Sequence, residues 1–276
     1  MKPLGLALRR NKNTDGGVAG EVCVVKHEQS FEVGTEEWLA QTGGRLTYRQ
    51  ALVLSGQGLA QSARERFNRR QPSPAESFGQ VARIAAARDE LAAVLATQRA
   101  RVIERQGHSL VNHACRTFVL GAALLTDDVF ARVNLTTAAV AALTHDDGLL
   151  HPSTPGNCFT ADSAIEADAM MAQLGQSGGP TQVARAAVIS HFQPRLPERA
   201  GPEARMVALG ASADVMGFGL GRLDPGRLEA VWNEWPDLGL LSEVKSLLLR
   251  ERTRAPRTRP GVLSYSGMPY LLRRGR

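Results

Sequence analysis

The stretch LTHDDGLLH at residues 143–151 follows the apolar run TTAAVAA and puts a histidine and two carboxylates into the most apolar part of the chain. A carboxylate among Ala and Leu costs several kcal/mol unless it is ion-paired, hydrogen-bonded or bound to metal, so His145 and Asp146 need partners. Neighbouring helical positions point about 100° apart, so these two side chains converge on one ion only at a helix end. Gly148 is expected to supply that end. Two more polar residues stand in equally apolar surroundings, His113 in SLVNHACRTFVLGAALL and Asp214 in MVALGASADVMGFGL.

Together, His113, His145 with Asp146, and Asp214 form an H, HD, D series spread over three predicted helices. Two neutral imidazoles and two carboxylates suit a divalent ion such as zinc, iron(II) or manganese(II). Such an ion with an open position lowers the pKa of bound water toward about 7 and polarises an electrophile beside it. That chemistry serves either hydrolysis of a phosphoester or hydration of a nitrile-like carbon, and the ligand set alone does not separate the two.

Other residues stand close enough in sequence to take part. Arg116 lies three residues after His113 on the same helix face, where it holds an anionic substrate or pairs with a ligand carboxylate. His191 ends the helix-like run VARAAVISHFQP. It is a candidate ligand, proton shuttle or substrate contact, against the alternative of a histidine on the last carbonyls of its helix. His151, in the loop after the HD pair, is a candidate acid or base if it is not simply exposed. Asp147 is expected to face water at the rim, and Cys158 to be a small buried residue.

The elements that must position these groups read as helices. From Tyr48 to Phe67 apolar residues recur at helical spacing, QPSPAE interrupts, and Pro74 opens a second segment running to about Ile103. Further helices are expected at about 108–126, 135–147, 160–175, 180–192, 202–219, 224–234 and 238–253, with Asp224 and Pro225 forming a cap and first-turn pair. The reading is all-α: a loosely ordered N-terminal extension over 1–41, with VCVV at 22–25 as a short strand, then one all-helical domain over 42–276.

Composition agrees and narrows the class. With 276 residues, 43% hydrophobic and 5% aromatic, the chain can fill one large core. Its formal charge of +6 is concentrated after residue 249, where eight Arg face only Glu251. The body is nearly neutral, so nucleic acid is not an expected partner, and the arginines are read as caps and surface. Three scattered cysteines without a CxxC pair, no signal-peptide core and no membrane-length apolar run fit a cytoplasmic protein, alone or as a homo-oligomer.

NHACR at 112–116, LTHDDG at 143–148 and SADVMG at 212–217 resemble the HD-domain metal-dependent hydrolases, closest to the cyanamide hydratase-like branch, over about residues 105–236. The resemblance implies a single helical bundle with His113, His145, Asp146 and Asp214 as metal ligands. The candidates for catalysis are Asp146, His151 and His191, and those for substrate contacts are Asn112, Arg116 and Phe159. The implied activity is that of a metal-dependent hydrolase or hydro-lyase acting on a small molecule. A nucleotide or phosphoester phosphohydrolase is the alternative, although no Lys occurs between Lys26 and Lys245. A non-catalytic HD-fold binding protein is the third reading.

Overall fold

Capping explains where most helices begin. The Thr35 side chain accepts from the Trp38 amide to start α1 (Glu36–Thr42), Asn134 accepts from Thr137 to start α5 (Leu135–Thr144), and Asp224 accepts from Arg227 to start α10 (Pro225–Glu234). Proline in the first turn, where its missing N–H has no intrahelical partner to lose, opens α8 (Gly179–Ser190), α9 (Pro202–Met216), α12 (Arg259–Tyr265) and α13 (Met268–Leu271). The computed structural model describes residues 31–67, 74–197 and 199–272. The remaining helices are α2 (Tyr48–Phe67), α3 (Pro74–Leu124), α4 (Asp127–Phe130), α6 (Asp147–Leu150), α7 (Phe159–Gln173) and α11 (Leu240–Arg254). Among the described residues there is no strand, only an isolated bridge between Arg45 and Thr258, and the fold is all-α. No described helix is long and apolar enough to cross a membrane.

The core is built around α5. Every residue from Thr137 to Thr144 is buried, which is the burial expected of a short helix apolar on all sides. It packs against α3, α7, α8 and α9, and its Ala-rich surface lets these neighbours come close. The tightest crossing is that of α3 with α9. A Cβ on Gly210 would overlap the Thr117 carbonyl oxygen, and one on Gly121 would overlap that of Met206. The two backbones therefore touch, which brings His113 and Arg116 of α3 against Asp214 of α9.

Helix α3 is interrupted once. Gly107 takes φ 73, ψ 170, a conformation essentially restricted to glycine, and the axis restarts there. The sequence reading of two segments, one ending near Ile103 and one beginning near 108, matches this break. Other expectations are corrected. The extension expected to run to residue 41 ends earlier, because α1 is a capped helix whose Trp38 is buried in the core. VCVV at 22–25 lies outside the described residues.

The basic stretch after residue 249 is largely part of the body. Arg250 donates to the Leu149 carbonyl, and Arg254 pairs with Glu251 and donates to the Asn157 carbonyl. Arg259 is fully buried, donating to the Ile189 carbonyl at 2.6 Å and to Thr160 at 3.0 Å beneath the Trp38 ring. Arg273, Arg274 and Arg276 lie outside the described residues.

Candidate metal centre

Helix α5 stops at Thr144, and the backbone leaves helical geometry at Asp146 (φ −105, ψ 0) before α6 begins. This break is what allows His145 and Asp146, adjacent in sequence, to face the same point. Gly148 is not its cause: it lies inside α6, where a Cβ would overlap the Phe159 carbonyl oxygen, and its amide donates to Ser163 Oγ at 2.9 Å. Its role is the close packing of α6 on α7.

His113, His145 and Asp146 form a buried group whose ligand atoms lie within 4.8 Å of one another, and it can hold a metal ion. His113 Nε2 and His145 Nε2 are 3.2 Å apart. Asp146 Oδ2 lies 3.5 Å from the first and 3.3 Å from the second. Ligand atoms bound tetrahedrally at about 2.0–2.1 Å are separated by about 3.3–3.4 Å, so the spacing fits one ion of zinc size.

The hydrogen bonds behind the rings settle which nitrogen each one offers. His145 Nδ1 donates to the Ala142 carbonyl at 2.7 Å, His191 Nδ1 to the Val188 carbonyl at 2.6 Å, and His113 Nδ1 to Asp214 Oδ2 at 2.7 Å. Each ring thus gives its Nδ1 proton to that partner and turns Nε2 inward, as a lone pair when the ring is neutral. Two Nε2 atoms 3.2 Å apart beside a carboxylate repel one another unless a proton or a metal ion lies between them. Asp146 and Asp214 against the single Arg116 leave one buried negative charge to be met by a proton on His113 or by a metal ion.

The ionisation of these groups reflects the same demand. Burial pulls His113 down, but Asp146 and Asp214 together outweigh it and raise it to about 9. Burial pushes Asp146 up, yet the imidazoles of His145, His113 and His191 hold it well below the usual carboxylate range. His191 is pulled by burial to about 4 against the attraction of Asp146, and stays neutral near pH 7. Its Nε2 lies 3.6 Å from Asp146 Oδ1 and has no hydrogen-bond partner.

Asp214, expected as the fourth ligand, stands behind His113 instead. Its Oδ1 accepts from Arg116 Nε at 2.7 Å, while Oδ2 accepts from Arg116 Nη2 at 2.8 Å and from His113 Nδ1. Burial raises this carboxyl and the partners His113 and Arg116 lower it, with a net depression. Asp214 therefore orients His113 from the ring edge opposite the cluster. Arg116 is correspondingly not a substrate contact: fully buried, it spends its remaining donor on the carbonyls of Trp235 (2.6 Å) and Pro236 (3.2 Å).

The other expected residues separate into two groups. His113, His145, Asp146 and His191 line one cavity of about 120 Å³, together with residues of α2, α9, α11 and α12. Asn112, His151 and Phe159 do not line it. Asn112 donates to the Pro236 carbonyl at 2.9 Å, and exposed His151 bonds the Arg105 carbonyl through Nε2 at 2.8 Å. Phe159 is buried behind His191, edge-on to its ring at 5.8 Å.

Asp147, expected in water, is 1% exposed and accepts two hydrogen bonds from Arg105, at 2.9 and 2.6 Å. Glu166, paired with Arg101, joins the same network. Sequence offered no sign of this pairing, because Arg105 and Asp147 come from different helices. Nor did it single out Gln193, which lines the cavity two residues after His191. Comparison with protein-family models and with curated proteins returned no match.

Proposed function

We propose that this protein is a metal-dependent hydrolase or hydratase of the HD type, holding a divalent ion on His113, His145 and Asp146 and acting on a small molecule in the adjoining cavity. The observation that carries the reading is the convergence of two imidazole Nε2 atoms and a carboxylate on a cavity wall whose described lining holds no Lys or Arg. The H, HD, D order along the chain, with its likeness to the cyanamide hydratase-like branch, supports it. A divalent ion bound there supplies activation of water near neutral pH and polarisation of an electrophile. Zinc, iron(II) and manganese(II) suit this donor set.

The chain's own residues divide the remaining work. Arg116 and Asp214 fix His113, and the Ala142 carbonyl fixes His145, so both Nε2 atoms are aimed before any ligand arrives. His191 lies on the cavity side of Asp146 with a neutral ring and an unpaired Nε2, placed to take a proton from the attacking water and return it to the product. The apolar walls exclude bulk water and strengthen every charge interaction at the site.

A phosphohydrolase is less well supported, because no Lys or Arg is among the described residues that line the cavity and Arg116 is committed to Asp214. Elemental analysis of protein purified without added metal tests the proposal first. About one ion per chain is expected, with loss in His145→Ala. Turnover is then compared on cyanamide and simple nitriles against nucleotides and p-nitrophenyl phosphate. A well-folded, metal-free chain overturns the metal centre. Bound metal with no turnover of either class overturns catalysis in favour of an HD-fold binding protein.

A further inference from the structure

The cavity beside the cluster is apolar to a degree that its list of side chains understates. Leu59, Leu149, Val215, Phe218, Leu248 and Leu263 form much of its wall. Three of its serines turn their hydroxyls back onto their own helices. Ser62 donates to the Gly58 carbonyl at 3.0 Å, Ser212 to the Ala208 carbonyl at 2.6 Å and Ser266 to the Val262 carbonyl at 3.0 Å. A fourth, Ser55, is 2.7 Å from Ser266 and shares its hydroxyl. These groups are satisfied by the protein and ask nothing of a ligand.

Gln193 differs. Its Oε1 accepts from Nη1 of buried Arg259 at 3.2 Å, which fixes the amide beside Gly34. The described wall thus carries the metal cluster, His191 and the amides of Gln61 and Gln193 within an otherwise greasy surface, and no Lys or Arg is among the described residues that line it.

We infer that the substrate is an uncharged small molecule with an apolar body of about six carbons and one polar group, which meets the His113/His145/Asp146 cluster. The size follows from volume: an apolar cavity of about 150 Å³ takes benzene, and this one measures about 120 Å³ before it opens outward. Charge follows from desolvation: an ion on the cluster is partly offset by Asp146 and the described wall adds no Lys or Arg, so a dianionic phosphate would leave most of its hydration shell uncompensated. The inference rests on the reading of this cavity as the substrate site of a metal-dependent enzyme, and it excludes nucleotides and other phosphoesters from it.

Binding to the full-length, metal-bearing protein as purified tests it without turnover. Titration calorimetry compares two uncharged series of rising chain length, straight-chain primary amides and the matching hydroxamic acids, each from two to eight carbons, with benzohydroxamic acid, inorganic phosphate and phenyl phosphate alongside. Affinity is expected to rise about fourfold per methylene in both series, up to about six carbons, and then to level off. Phenyl phosphate is expected to bind more weakly than benzohydroxamic acid. Affinity independent of chain length, or phenyl phosphate as the tighter ligand, overturns the inference.

The offset between hydroxamic acids and amides of equal length reports the metal separately. A chain-length slope without that offset overturns the metal reading and leaves the apolar site standing. Leu59→Trp locates the probes, since Leu59 lines the cavity yet is 60% exposed and tolerates a larger side chain. It is expected to shorten the optimal chain by at least one carbon, and an unchanged optimum shows that the probes bind elsewhere and overturns the inference.

Discussion

Replacing Asp214 with Asn tests whether this residue orients a ligand or is one. Its carboxylate accepts three hydrogen bonds, two from Arg116 and one from His113, and all three side chains are at most 1% exposed. The Asn variant keeps the shape but removes the charge, so the Arg116 guanidinium is left buried against the neutral carbonyls of Trp235 and Pro236. Breaking a buried pair on one side costs about 3–5 kcal/mol. For a domain of this size, that lowers Tm by roughly 6–20 °C.

Metal affinity should fall by about 10–100-fold, the range for loss of an orienting carboxylate, and not vanish as in His145→Ala. Adding Arg116→Leu to Asp214→Asn removes the stranded charge and should restore most of the lost stability. Acid behaviour follows the same pair. Because the folded pKa of Asp214 lies below its ordinary value of 3.8, its contribution is present above that pH and is lost as pH falls through the depressed value. The variant's stability should therefore fall less steeply with acid than the parent's. Differential scanning calorimetry and metal titration check these outcomes. An unchanged Tm, or complete loss of metal with intact stability, would refute the orienting role.

The remaining predictions concern the centre and its scaffold. His191→Ala should retain about one ion per chain while turnover falls at least about 100-fold, as expected for loss of a proton-transfer group, and metal analysis beside kinetics checks it. Gly210→Ala should destabilise by about 3 kcal/mol or more, because the added carbon meets the Thr117 carbonyl backbone and α3 must part from α9; chemical denaturation measures this. Gly107→Ala should cost about 1–3 kcal/mol through strain alone, since open space surrounds the position. Burial pushes the Cys115 thiol up to about 12, so it stays protonated and should resist iodoacetamide at pH 8 in the native protein, reacting only after unfolding, as read by mass spectrometry.

How much of this was legible in the sequence depended on whether the signal was local. Helices such as α2, α8 and α10 were readable because apolar spacing, Gly-Gly, proline and Asp224 act within a turn or two of themselves. The gathering of His113, His145 and Asp146 was readable because isolated polar residues in apolar helices demand partners, and few partners were on offer. The placement of Asp214 behind His113 was not, since it depends on the closeness of α3 to α9 that Gly121 and Gly210 allow. Asp147 failed for a related reason: its partner Arg105 comes from another helix, and nothing near either residue marks the pair. Short helices α1, α6, α12 and α13 were missed because four to seven residues carry too little periodicity to register.

The apolar surroundings that made LTHDDGLLH look costly give the centre its character. In water, two imidazoles and a carboxylate would be content with solvent. Here the rings are locked by the Ala142 carbonyl and by Asp214, and the same burial that holds His191 neutral leaves Asp146 no counterion of its own. Positive charge must come from outside the side chains: from a proton, which His113 takes with its pKa raised to about 9, or from a metal ion that replaces it. The second carboxylate, Asp147, does not join this competition, because Arg105 has already neutralised it. Segregating the two neighbouring aspartates, one to a structural arginine and one to the cavity, leaves a single buried negative charge facing the place where an ion fits.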